Sequence, residues 1–412
     1  MKLLADHYLY RLSHFIPEDV QVEYYKPEEG FPRGATGYDA MLIRTVTPIH
    51  PDTLPEAGNL KFIGTATAGY DHVDIAHLKR LGIHFSRSAG CNSNAVAEYI
   101  ITALHHWAEV TGENLQKKKI GIMGMGYTGS GVARYLEKLG IRFAPYDPPR
   151  AQRETDFVSC TQEELLQCDI LTFHVPLTRS GAHPTWHMGS SEWMEEGFDL
   201  ILNAARGGVV DEHALLAARR RGRVGDYILD VWEGEPEFRD EIAAEAFIAT
   251  PHIAGYSKQA KWLASKLVAD QMCEFFGLEK REASFRDTHR EELSRMPESG
   301  GQRNEPESSA LQEMQNVTGS PDSKENSPTL QGRKAERGRS RSDFARFLWK
   351  HHKIDFYDSR LRKMIGSDPV TKRREFSLLR SETETRFEFA SLLSVLGLTG
   401  SLEPDDPLRI FL

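Results

Sequence analysis

Three short stretches bring together side chains that can move a proton and hold an anion: Asn203-Ala-Ala-Arg206, Asp230-Val-Trp-Glu-Gly-Glu235-Pro236 and Thr250-Pro-His252-Ile-Ala-Gly255-Tyr256. A histidine can accept a hydroxyl proton. A carboxylate bonded to its other ring nitrogen holds the ring and stabilises the imidazolium, and an arginine fork binds a carboxylate through two parallel hydrogen bonds. Such a set suits oxidation of an alcohol beside a carboxylate, provided that a hydride acceptor shares the cleft. Singly, each stretch has a plainer explanation: Arg206-Gly-Gly as a turn before a helix, Glu235-Pro236 as a loop, His252 as a packed histidine. Their order, downstream of a phosphate-binding loop, gives them weight together.

That loop is Gly124-Met-Gly126-Tyr-Thr-Gly129, between the strand-like run Lys119–Met123 and the helical run Val132–Leu139. Gly124 permits a tight turn, Gly126 lets the backbone approach a pyrophosphate, and Gly129 allows helix and strand to pack closely. The helix N-terminus then offers free N–H donors and the positive end of its dipole. A second strand, Arg142–Tyr146, ends in Asp147, about 20 residues on, where a carboxylate bonds a ribose 2′-hydroxyl and repels a 2′-phosphate. The expected cofactor is therefore NAD rather than NADP, although Arg150 could meet a 2′-phosphate.

The elements that must position these residues are short β-branched runs alternating with amphipathic stretches as far as residue 282, the pattern of βαβ units and parallel sheets. Ala40–Arg44, Lys61–Ala66, Ile170–His174, Leu200–Asn203 and Tyr227–Asp230 are expected strands, and Ala95–Trp107 and His213–Arg221 expected helices. Because the glycine loop begins at residue 124, behind a separate α/β unit, the nucleotide unit is expected to be inserted into a substrate unit, with the site in the cleft between them. From Ala283 to Asp343 the sequence turns to Ser, Pro, Gly, Gln and mixed charge, too polar to build a core. Apolar spacing returns over Phe344–Leu412 (FARFLW, FASLLSVLGL).

Composition excludes several classes. The 412 residues carry 51 Lys+Arg against 60 Asp+Glu, a formal charge of −9, which argues against nucleic acid as a main partner. Nearly all of that charge lies in the first 282 residues, so an anionic substrate needs a local cationic cluster to capture it against the global field. No run approaches the roughly 18–20 apolar residues of a membrane span, and the N-terminus lacks a basic region followed by an apolar stretch, so a cytoplasmic protein without membrane contact is expected. The 4 Cys form no C-x-x-C pair. They are read as reduced structural thiols, and no metal site is expected.

Over residues 1–282 the sequence resembles the D-2-hydroxyacid dehydrogenase family, whose catalytic Arg of N-x-x-R-G, Glu of the E-P step and His of the P-H step match Arg206, Glu235 and His252. The resemblance implies two doubly wound parallel-sheet domains of Rossmann or flavodoxin-like type, with an NAD-binding domain (96–255) inserted in the substrate domain (1–95 and 256–282). It further implies that Gly124, Gly126, Gly129, Asp147, Val175, Ala204, Ala205, Arg206, Asp230 and Gly255 contact NAD. Val175 stands where the family often has Thr, so its contact is expected through the backbone.

Phe62–Asp74, Ala89-Gly-Cys91-Asn92, Asp147-Pro-Pro-Arg150, His174–Leu177 and the stretch around Asp358 and Lys372–Arg374 are similar to the branch of that family that oxidises 4-phospho-D-erythronate at C2, on the route to pyridoxine 5′-phosphate. This likeness implies a small phosphorylated 2-hydroxy acid as substrate, contacted by Arg44, Thr45, Thr67 and Tyr256. It also implies a homodimer built through a small α+β C-terminal domain (344–412) after a polar linker (283–343) expected to be disordered. One of Arg373 and Arg374 is a candidate to reach the partner's cleft. Two other readings are a dehydrogenase of phosphoglycerate or glycerate, which would share Arg206, Glu235 and His252, and an NAD-sensing regulatory binding protein.

Overall fold

The computed structural model describes residues 1–289, 341–381 and 385–412. Most of the polar linker, residues 290–340, lies outside the described residues. Two parallel sheets organise the rest. The first has strands β1 (Lys2–Asp6), β2 (Gln21–Tyr25), β3 (Ala40–Ile43), β4 (Phe62–Thr65) and β5 (His84–Arg87) in the order β2-β1-β3-β4-β5. The second has β6 (Lys119–Met123), β7 (Arg142–Tyr146), β8 (Ile170–Phe173), β9 (Phe198–Asn203), β10 (Val224–Leu229) and β11 (Ile248–Ala249) in the order β11-β10-β9-β8-β6-β7. Every pairing is parallel. Sheets of this kind are covered on both faces, and four apolar cores, two for each sheet, provide the cover. This is the α/β architecture of two doubly wound parallel sheets.

Both sheets reverse strand order once, and ligands of open α/β sheets bind beside such a reversal, at the carboxyl ends of the strands. In the first sheet the reversal separates β1 from β3, whose ends carry Asp6 and Arg44. In the second it separates β6 from β8, whose ends carry the glycine loop and His174-Val175. The chain passes between the sheets through helix Ser93–Thr111 and returns before helix Lys258–Phe276, which packs on β4 and β5 of the first sheet. At the two crossings the chain segments touch: a Cβ on Gly255 would stand 2.5 Å from Asn92 Nδ2.

The C-terminal segment departs from the expected small α+β domain. Among the described residues it contains no strand: helices Arg341–His352, Ile354–Arg362, Pro369–Ser381 and Phe389–Val395 are followed by a 3-10 turn. The reason is the spacing of its apolar residues. Phe344 with Leu348, and Ile354, Tyr357 and Leu361, recur three or four apart, which gives one helical face, whereas a strand needs every second residue. These side chains are buried in the cores of the six-stranded sheet rather than around a core of their own. Asp358 Oδ1 accepts from Ala249 N at 2.7 Å, capping the edge strand β11, and Arg362 donates to the carbonyls of Ala243 and Ala246 at 3.0 and 2.7 Å. An otherwise open sheet edge is thereby closed.

Residues 385–389 then lie across both crossings. Arg386, 6% exposed, donates through Nη1 to Glu98 Oε2 at 2.6 Å and through Nη2 to Ala95 O at 3.1 Å, and Glu98 Oε1 accepts from Phe389 N at 2.9 Å. Glu388 accepts from Asn94 Nδ2 at 2.8 Å and from Ser257 Oγ at 2.7 Å. All four cysteines are free, and Cys91, Cys168 and Cys273 are buried.

Removing one member of a buried ion pair leaves the other charged and dry. Arg386→Met should lower the unfolding free energy by about 3–5 kcal/mol, and the double change Arg386→Met with Glu98→Leu should cost less than the single one. Urea unfolding followed by circular dichroism reads both, and a single variant as stable as the parent would contradict the assignment.

Candidate active site

Strands β9, β10 and β11 are neighbours, and the loops leaving their carboxyl ends carry Arg206, Glu235 and His252 in that order. Three residues far apart in sequence therefore share one rim of one sheet. His252 Nδ1 and Glu235 Oε1 are 2.6 Å apart, and Glu235 Oε2 accepts from Trp232 N at 3.2 Å. With Nδ1 bonded to the carboxylate, Nε2 is the nitrogen left to meet a substrate. Burial alone would raise the Glu235 carboxyl, but the charge and hydrogen bond of His252, with the charge of Arg380, bring it below its ordinary value. Glu235 is thus an ionised partner for the imidazole.

The backbone of His252 has φ 57°, a left-handed conformation that costs a non-glycine residue about 1–3 kcal/mol and that persists only where neighbours impose it. Asp230 imposes it. Its carbonyl accepts from His252 N at 2.7 Å, its Oδ1 from Thr250 Oγ1 at 2.7 Å and Ile253 N at 2.8 Å, and its Oδ2 from Ala254 N at 2.9 Å. The Asp230 side chain, expected as a cofactor contact, grips the loop that presents His252. It is 1% exposed, and burial pushes its carboxyl up against the pull of His252.

Arg206 reaches across the cleft. Its Nε donates to Asp71 Oδ2 at 2.9 Å and its Nη1 to Ala205 O at 2.7 Å, while Asn203 fastens the turn by bonding Arg206 O and Ala205 N. The guanidinium abuts the backbone of the first unit, where a Cβ on Gly69 would stand 1.8 Å from Arg206 Nη2. Thr67 Oγ1 donates to Gly69 O at 2.8 Å and so shapes that turn. His72, beside the same arginine, is pushed down to about 4 by burial and has no carboxylate on its ring among the described residues.

Arg44, at the end of β3, pairs with the buried Asp6 through Nε at 2.9 Å and stands 5.1 Å from the Tyr8 ring centroid. Thr45 beside it is exposed. Tyr256 follows the His252 loop, and its hydroxyl accepts from Arg380 Nε at 3.2 Å. Arg380, from helix Pro369–Ser381, drew no attention in the sequence. The conspicuous run before it is engaged elsewhere: Lys372 with Asp240, Arg373 with Glu237 and Arg374 with Glu375.

The residues around the glycine loop fit a dinucleotide. Gly124 has φ 86°, and a Cβ there would stand 2.8 Å from His174 O and from Val175 Cγ1. A Cβ on Gly129 would stand 1.9 Å from Gly124 O, whereas one on Gly126 would meet nothing within 4 Å. The turn is closed behind and open in front, where backbone N–H groups begin a helix that has no side-chain cap. Asp147 Oδ2 accepts from Met125 N at 2.8 Å, which places the carboxylate beside the loop. Arg150 donates to Met125 O at 2.6 Å and to Glu154 at 2.7 Å, so its guanidinium braces the loop instead of standing free for a 2′-phosphate. Val175 and Ala204 line the same rim, with Ala205 buried behind them.

Comparison with known proteins gives the family. Residues 92–254 match the family described as D-isomer specific 2-hydroxyacid dehydrogenase, NAD binding domain. Over 282 residues the chain is 36% identical to an erythronate-4-phosphate dehydrogenase of Bacteroides thetaiotaomicron, an alignment spanning 68% of this chain and 81% of that protein. The enzyme of the same name from Proteus mirabilis is 43% identical over 244 residues, 58% of this chain and 64% of the relative. Among solved structures, the NAD+-bound 3-phosphoglycerate dehydrogenase of Entamoeba histolytica aligns with a TM-score of 0.56 at 25% identity, over 69% of this chain and 99% of that one. The chain belongs to the D-isomer specific 2-hydroxyacid dehydrogenase family and is an NAD-dependent dehydrogenase of small 2-hydroxy acids.

Proposed function

We propose that the protein oxidises 4-phospho-D-erythronate to (R)-3-hydroxy-2-oxo-4-phosphooxybutanoate, in the biosynthesis of pyridoxine 5′-phosphate, with Arg206, Glu235 and His252 as its catalytic residues. The observation that carries the mechanism is the Glu235–His252 bond on the rim shared with Arg206. His252 Nε2 takes the C2 hydroxyl proton. Glu235 holds the imidazole by Nδ1 and stabilises the positive charge it acquires. Arg206 exchanges Asp71 for the substrate carboxylate, fixes C2 against the cleft and polarises the oxygen that becomes the carbonyl. NAD, held by the turn of Gly124, Gly126 and Gly129 and by Asp147, supplies the hydride acceptor when bound. Val175, Ala204, Ala205, Arg206, Asp230 and Gly255 would also contact the cofactor, and Arg44, Thr45, Thr67 and Tyr256 the substrate. The relatives named above act on erythronate 4-phosphate by name, which favours that substrate over glycerate or phosphoglycerate.

The substrate domain in this proposal is 1–95 with 256–282 and the NAD domain 96–255. The homodimer remains part of it: the tail exposes Phe356, Val370 and Leu412, apolar groups that a second copy could cover. Among the described residues no helix is long and apolar enough to cross a membrane, and the proposed site of action is the cytoplasm.

NADH formation should be fastest with 4-phospho-D-erythronate; equal or greater efficiency on D-erythronate or 3-phosphoglycerate would overturn the substrate assignment. His252→Ala should cut turnover by about 10²–10⁴-fold while NADH still binds, and retained turnover would mean that another group takes the proton. Asp147→Ala should raise the use of NADP relative to NAD; an unchanged ratio would remove Asp147 as the ribose contact.

A further inference from the structure

The ring of Tyr256 is flanked by two cations from different parts of the chain. Lys261 Nζ lies 5.2 Å from its centroid and Arg380 Cζ 5.6 Å, with Arg380 Nε donating to the phenol oxygen at 3.2 Å. Lys261 is on the helix that returns to the first sheet, four residues after its N-cap Ser257, whereas Arg380 is at the end of the tail helix Pro369–Ser381. Lys261 Nζ donates to a neutral oxygen, Thr385 Oγ1, at 2.8 Å. Among the described residues neither cation is within ion-pair distance of a carboxylate. Glu235, whose charge Arg380 feels, is bonded to His252.

Partly buried cations without carboxylate partners are costly unless an anion joins them. Lys261 registers the excess: burial, then the charges of Arg44 and Lys258, hold its ammonium below the ordinary lysine value. Arg44 spends its Nε on Asp6 and so contributes to the field while remaining tied at the β1/β3 reversal. Positive charge therefore gathers on the Tyr256 side of the catalytic histidine, where Lys261 feels Arg44 and Lys258 and Arg380 bonds the phenol, while Arg206 faces Asp71. An acid with a carboxylate at one end and a second anion at the other matches that division.

We infer that Arg380 and Lys261, each beside the Tyr256 ring, form the subsite for the substrate's phosphate group, with Arg380 supplied by the same chain's C-terminal helix. The inference rests on the proposed function, which it deepens. An arginine fork presents paired N–H donors that match phosphate geometry, and an ammonium adds a point charge. The tail is then part of the active site. This also accounts for how a catalytic body with excess acidic residues takes up a multiply charged anion: the opposing charge is local and partly desolvated.

The test measures KM and kcat for 4-phospho-D-erythronate and D-erythronate, and competitive inhibition by inorganic phosphate, in the full-length protein, Arg380→Gln, Arg380→Lys and Lys261→Met. Arg380→Gln and Lys261→Met should each raise KM for the phosphorylated acid by about 10–100-fold, shrink its preference over D-erythronate by a similar factor, and weaken phosphate inhibition. Arg380→Lys should recover part of each. NADH fluorescence titration verifies that each variant is folded, and if Arg380→Gln does not fold, Lys261→Met decides. A parent that prefers the phosphorylated acid, with variants that keep both this preference and the inhibition by phosphate, overturns the subsite and leaves the function standing. A parent without that preference overturns the function, and the phosphate inhibition series still decides whether the two cations bind an anion.

Discussion

The arrangement of the cleft depends on one buried ion pair. Arg386 and Glu98 are 6% and 0% exposed, and taking two charges out of water costs several kcal/mol for each ion unless the lost hydration is replaced. It is replaced: Glu98 receives Arg386, Phe389 N and Asn94 Nδ2, while Arg386 also reaches the carbonyls of Ala95 and Phe387. Burial pushes the Glu98 carboxyl up to about 7 while Arg386 pulls against it. Because these bonds exist only when residues 385–389 lie on the start of helix Ser93–Thr111, the pair specifies where the tail goes. From that position follow the Thr385 contact of Lys261, the Glu388 contacts with Asn94 and Ser257, and the approach of Arg380 to Tyr256. A segment beyond the two-sheet body thus pins both chain crossings between the sheets.

The parts of the site legible in the sequence are those where backbone geometry dictates residue type over a short span. Gly124 and Gly129 are glycines because a Cβ would strike a carbonyl, and strand, turn, helix and Asp147 follow one another locally. Arg206 and Glu235 could be found because each follows a recognisable strand, and His252 by its order after them, although nothing local says that His252 bonds Glu235. Arg380 carries no such signal. It meets Tyr256 from 124 positions away in the sequence, while the charge run just before it, which does draw the eye, is spent on Asp240, Glu237 and Glu375. The strands β1, β2 and β5 were hidden for a different reason. Burial is uneven along β2 and β5, and His84–Arg87 is polar enough to read as a loop until pairing with β4 makes it a strand. The tail's helices were legible only as apolar spacing, since the surfaces that select helix over strand belong to the six-stranded sheet.

The pairing of Arg206 with Asp71 bears on how substrate enters. It joins the two units across the cleft at 2.9 Å, yet with side chains 31% and 62% exposed it is worth little, since solvent-exposed pairs contribute about 0–1 kcal/mol. In the proposed mechanism a carboxylate arriving at the same guanidinium would displace Asp71 at small cost and form two parallel bonds where the aspartate forms one. Gly69 makes the exchange possible, because any side chain there would occupy the space of the guanidinium. The contrast with Arg386 is instructive. One arginine is buried with a glutamate so that the cleft has a fixed geometry, and another is left wet beside an aspartate so that it can change partners. His252, strained at φ 57° but held by Asp230, stands between these extremes: its backbone is committed and its Nε2 is not. A dehydrogenase that must bind, react and release needs this combination of rigid placement and exchangeable charge, and here the two are assigned to different residues on the same cleft.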